Sequence, residues 1–173
     1  MISMRDPFRT TRTMRWSICA LTALAVTMYS DPLAAAEKWF GKGVLVAVSE
    51  KTVKTEDRPD HTLSIFDCDG AVINAEGKPF LDKARYQIVG LVDSGVSGHG
   101  YKTFTEADGS KVFAKYTVTQ VKLPDILGTF EFTGGTGKYM GINGGGNFHV
   151  IMLSDAAQYD ELRGEYTIPA ATR

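Results

Sequence analysis

Glu131 is the carboxylate of this chain whose setting most invites chemistry. It stands between Phe130 and Phe132, on a face shared with Thr129 and Thr133. Successive side chains of a strand point to opposite faces. If the phenylalanines point into a core, Glu131 is outward and solvated, and alternation favours this reading. Turned inward, it would be a carboxylate in apolar surroundings with its pKa raised by desolvation. It could then orient a polar ligand head or take part in acid–base work. Tyr86, Tyr101, Tyr116 and Tyr166 fall in four separate β-like runs. Tyr116 shares its face with Val112, Ala114 and Val118, which points it to the interior. A tyrosine combines an apolar body with one polar tip and suits a small-molecule pocket. Glu131, Tyr116 and Tyr101 are therefore the candidate ligand-binding residues; no catalytic set is legible.

Other reactive side chains read as structural. His61, His99 and His149 are the only histidines and stand far apart in the chain. No short-range pair among them has metal-ligand spacing, and no metal site is expected. Asp67-Cys68-Asp69-Gly70 lacks the continuation of a calcium loop and reads as a strand ending in an Asp-Gly turn. Cys68 has no His or Lys beside it in sequence and reads as buried and inert. Cys19 lies near the N-terminus, so the rest of the chain holds one cysteine and cannot form an internal disulfide.

The segment Gly134 to Gly146 is the most unusual, with seven glycines in thirteen residues. A phosphate-binding loop would need Gly at position 132 and Ser or Thr after Lys138; Phe132 and Tyr139 stand there instead. No helix pattern follows to receive a phosphate, and the dinucleotide pattern fails on spacing. Gly134, Gly135, Gly137, Gly141 and Gly144 read as a structural turn where a strand bends. No cofactor is expected.

The elements that must position these residues are short β-rich runs. They are Gly43–Ser49, Thr62–Cys68, Tyr86–Val92, His99–Thr105, Lys111–Val121, Leu127–Thr133, Phe148–Leu153 and Leu162–Ile168. Asp108-Gly109 between the fourth and fifth is a hairpin signal. Residues 50–60 read as an exposed loop, and residues 80–84 as a short helical turn. The pattern predicts an all-β fold, a single closed antiparallel barrel of about eight strands with room for one small ligand.

The first 36 residues read as a cleavable signal peptide. Arg5, Arg9, Arg12 and Arg15 precede an uncharged apolar run from Trp16 to Met28, and Ala34-Ala35-Ala36 offers a cleavage site. The run is too short to span a bilayer. Residues 37–173 would be the exported barrel domain, periplasmic or extracellular. They carry eighteen Asp and Glu against fifteen Lys and Arg. That mild acidity, without a basic cluster, argues against a nucleic-acid partner and against an anionic membrane surface.

The run Gly128-Thr129-Phe130-Glu131-Phe132-Thr133-Gly134-Gly135-Thr136-Gly137-Lys138-Tyr139, followed by Gly141-Ile142, Gly144 and Gly146, resembles the C-terminal half of the allene oxide cyclase and dirigent-like barrel group. It looks closer still to small exported bacterial members of that barrel type. Gly98, Gly100-Tyr101 and the Asp108-Gly109 hairpin fit the same pattern. The resemblance covers roughly residues 98–148. It implies an eight-stranded antiparallel barrel with an apolar lumen, in a group whose members often associate into oligomers. The plant enzymes of the group cyclise a fatty-acid epoxide, and dirigent proteins steer radical coupling. Their catalytic residues lie largely outside the glycine turn and are not matched position by position here, so no role is transferred. Three functions follow as expectations: a binding module for a small apolar or amphipathic ligand, an isomerase or cyclase, and a surface-interaction scaffold.

Overall fold

The computed structural model describes residues 35–94 and 96–170; residues 1–34 of the leader reading fall outside them. Eight strands pair in chain order, each antiparallel to its neighbours, and the last pairs with the first to close the barrel. They are β1 (Glu37–Lys54), β2 (Thr62–Glu76), β3 (Ala84–Asp93), β4 (Ser97–Thr105), β5 (Lys111–Lys122), β6 (Asp125–Gly135), β7 (Asn143–Ser154) and β8 (Ala157–Thr167). Closure leaves no free sheet edge.

Each predicted run falls on one of these strands, the last overrunning β8 by Ile168, and several strands are longer than predicted. β1 continues to Lys54, so the first part of the expected loop is strand, held by pairing of Glu50–Lys54 with β2. β2 runs through Asp67-Cys68-Asp69-Gly70 to Glu76, so the expected Asp-Gly turn is mid-strand. Cross-strand pairing on both sides overrides the local turn preference. No helical turn forms at residues 80–84. Leu81 and Lys83 adopt left-handed backbone (φ 55 and 60), which ends any helical path.

Alternation sets the core. Leu45, Cys68, Val72, Tyr86, Ile88, Phe104, Val112, Ala114, Tyr116, Phe130, Phe132, Phe148 and Leu162 point inward and are buried. One end of the barrel is sealed by an aromatic plug. Phe80, from the β2–β3 connection, stacks on Tyr166 at 3.9 Å between ring centroids. It also meets Trp39 edge-on at 5.2 Å and Tyr139 at 5.5 Å. Edge-to-face pairs at these separations add to the area buried. A 3-10 turn, η1 (Gly137–Tyr139), carries Tyr139 into this plug. The Tyr139 hydroxyl donates to Glu106, which also pairs with Lys138, so the turn is tied to the β4–β5 hairpin.

Of the glycine segment, Gly137 opens η1 and Gly141 follows it, both with positive φ (61 and 77), while Gly134 and Gly135 end β6 and residues 143–146, Gly144 among them, already belong to β7. A second use of glycine lies in the lumen. A Cβ on Gly90 would stand 1.9 Å from the Tyr116 hydroxyl oxygen. Gly90 on β3 thus makes the space that Tyr116 on β5 fills.

Candidate functional site

Two registers decide what the open half of the lumen contains. β1 and β2 pair Ala47 with Cys68 but Ser49 with Asp67, so one extra residue, Val48, is accommodated in β1. Such a bulge reverses the alternation beyond it. Glu50 then sits opposite Phe66 and turns to the inside. A second shift between Met152 and Ser154 shapes the β7–β8 turn at the same end.

These strand ends frame a cavity of about 410 Å³ at the end opposite the aromatic plug. Its wall is mostly apolar, with Leu45, Phe66, Val92, Leu123, Ile126 and Met152 as the large members. Its polar members are Glu50, Ser64, Asp155 and Gln158, with the thiol of Cys68 beside them. A concave, apolar site with a few polar groups, in this size range, is the usual form of a small-molecule pocket.

Beneath it lies a charged cluster that sequence reasoning missed. Lys102 on β4 and Asp160 on β8 are both inward and buried, with Nζ and Oδ2 3.4 Å apart. The Tyr86 hydroxyl donates to Asp160 Oδ2 at 2.9 Å and receives a hydrogen bond from the Lys102 ammonium. Gln158 Nε2 donates to the other carboxylate oxygen at 2.9 Å. The Lys102 nitrogen also lies over the rings of Phe148, Tyr86 and Tyr116, at 4.6, 5.0 and 5.2 Å from their centroids. Ring faces carry negative charge and attract a desolvated cation. Every charge in the cluster therefore has a partner, which a buried charge requires. Gln158 belongs both to the cluster and to the cavity wall, so the two are one hydrogen bond apart.

Burial sets the protonation behaviour. Desolvation pushes the Lys102 ammonium below its usual range, and Asp160 opposes that shift. Burial, then the Asp160 carboxylate, raises Tyr86 well above its ordinary value. Burial also raises Tyr116. Cys68 is raised to about 11, first by burial and next by Asp160, so near neutral pH it is a protonated thiol. It is placed as a wall residue and not as an activated nucleophile.

The sequence candidates separate. Tyr116 points into the lumen and is 6% exposed. Glu131 faces solvent and pairs with Lys115 at 2.8 Å, both side chains more than half exposed. Tyr101, at 65% exposure, is also on the outer surface. Strand alternation removes both from the cavity: their neighbours in sequence, Phe130, Phe132 and Lys102, take the inward positions. A charge among inward residues was legible as a pattern. Lys102 shares its face with Phe104, and Asp160 with Leu162 and Tyr166.

The histidines are surface or rim residues. His61 Nε2 lies 2.9 Å from Asp93, and its Nδ1 contacts Asp57. The Thr55 hydroxyl, followed by His61, holds the Asp57 carboxyl down to about 2. His149 pairs with Asp125 at 2.7 Å. Among the described residues no group of three or more His, Cys, Asp and Glu is placed to hold a metal ion.

No protein-family model matches the chain. No curated protein matches it either. Among solved structures it is similar to a pterocarpan synthase dirigent protein, with a TM-score of 0.44 and 15% sequence identity over 86% of this chain and 99% of that one. The barrel is defined by its own closed strand pairing.

Proposed function

We propose that the protein binds a small, largely apolar molecule in the open half of its barrel. The observation that carries this is the asymmetry of the lumen: aromatic side chains fill one end, and an apolar cavity of about 410 Å³ occupies the other. A barrel filled along its whole length would have left no such space. The polar groups of the wall are few, which suits a ligand that is held mainly by exclusion of water. Export to the periplasm or the outside rests on the leader pattern of residues 1–36. Kinship with the allene oxide cyclase and dirigent-like group rests on the motif at residues 128–146 and belongs to the same reading.

The test is native mass spectrometry of the protein recovered from its own compartment, before and after solvent extraction. A reproducible added mass that extraction removes supports the reading. Failure of the extracted protein to take up any apolar compound would count against it.

The buried Lys102–Tyr86–Asp160 cluster favours a second reading, an isomerase or cyclase. Such a reaction needs a shaped cavity and a proton-bearing group near the substrate, and Gln158 links the cluster to the cavity wall. Turnover of a bound compound that is lost in Tyr86→Phe but retains its affinity would select this reading over simple binding.

A further inference from the structure

The polar members of the cavity wall are unequal in hydrogen-bonding character, and this bears on what the cavity takes. Glu50 and Asp155 are its only charged members. Both are carboxylates, which when ionised only accept hydrogen bonds. Neither takes part in an ion pair among the described residues; Glu50 receives only a hydroxyl hydrogen bond, from Thr52 at 3.1 Å. Gln158 spends one of its two amide N–H donors on Asp160 and keeps the other together with its carbonyl oxygen as an acceptor. The Ser64 hydroxyl is already engaged with Thr52 at 2.6 Å. Lys102, the one buried cation among the described residues, is neutralised by Asp160 below the cavity and does not line it. The wall therefore offers mainly hydrogen-bond acceptors over an apolar body, both of its charged groups are carboxylates, and among the described residues no cation lines it to meet an anion.

Resting on the cavity reading, we propose that the ligand is an amphiphile whose polar end donates hydrogen bonds and is positively charged or neutral, a primary amine before an alcohol, in preference to a carboxylate. An ammonium offers three donors and a charge opposite to that of Glu50 and Asp155. A carboxylate would add a third negative charge and bring no donor. Like charges brought together on binding are disfavoured, less so at these exposed carboxylates than at a buried site.

The experiment is calorimetric titration of the extracted protein at neutral pH with decylamine, decanol and decanoate, which share one alkyl chain and differ in the head. The expected order is decylamine, then decanol, then decanoate, with about tenfold or more between the first and the last. In the double variant Glu50→Gln, Asp155→Asn that separation should shrink to a few-fold, with decylamine losing more affinity than decanol. Both residues are exposed, so the variant should fold. Decanoate binding as tightly as decylamine, or an amine preference that survives in the double variant, would overturn the inference and leave the cavity reading standing. If none of the three binds, the cavity reading falls and takes the inference with it.

Discussion

The Tyr86 hydroxyl on β3 donates to Asp160 on β8 at 2.9 Å, across the lumen and across 74 residues of chain. Lys102 approaches both from β4. Three side chains from three strands thus form one neutral unit where a barrel of this kind would otherwise carry apolar contacts. Removing one member leaves the others uncompensated in a low-dielectric interior.

Lys102→Met should therefore destabilise the fold by about 3–5 kcal/mol, since Asp160 stays buried without its cation. Replacing the whole unit, with Lys102→Met, Tyr86→Phe and Asp160→Leu together, should recover most of that loss, because well-packed apolar groups substitute for a buried pair at little cost. Denaturant unfolding of the three proteins decides it. A single variant as stable as the parent would mean that Asp160 is not left as an uncompensated buried charge.

Gly90 and Tyr116 should show coupled effects. In Gly90→Ala the new methyl would stand 1.9 Å from the tyrosine oxygen, so the ring must shift against Phe148 or the strands must part. A cost of about 1–3 kcal/mol is expected. Tyr116→Phe removes the clashing oxygen, so the double variant should be more stable than the sum of the two singles implies. Simple additivity in unfolding experiments would rule out this contact.

Cys68 should label slowly with a thiol reagent at pH 8 in the folded protein and rapidly when unfolded. Its thiolate forms only toward pH 11, so the folded-state rate should climb with pH until about 11. The unfolded chain should level off near its ordinary value, about 9. The same shift has a stability consequence. Above about pH 9 the unfolded chain releases a proton that the folded form keeps, so this contribution is full below 9 and is lost as pH rises toward 11. A labelling rate that levels off near neutral pH would contradict the buried thiol.

Glu131→Gln should leave ligand binding unchanged and alter stability by less than about 1 kcal/mol. The Lys115–Glu131 pair is exposed on both sides, where screening and side-chain entropy cancel most of the attraction. A large loss of binding in this variant would return Glu131 to the lumen and reverse the assignment of strand faces.

Periodicity of two and the turn residues between runs were enough to read eight strands and a closed barrel from the chain alone. Tyr116 was legible as an inward residue for the same reason: Val112, Ala114 and Val118 alternate with it. That Phe130 and Phe132 turn inward and Glu131 outward follows from the same rule, which already favoured a solvated Glu131. Lys102 and Asp160 carried a legible signal as well, a charge on an apolar face of each strand. What alternation could not reveal is that β4 and β8 bring those two charges within 3.4 Å of each other. That distance depends on closure, which no local pattern encodes. Nor could it place Glu50 at the cavity, because a single bulge at Val48 reverses the faces beyond it, and a bulge is decided by the partner strand. Composition and spacing determined the sheet; the pairing of distant strands alone decided which side chains meet inside it.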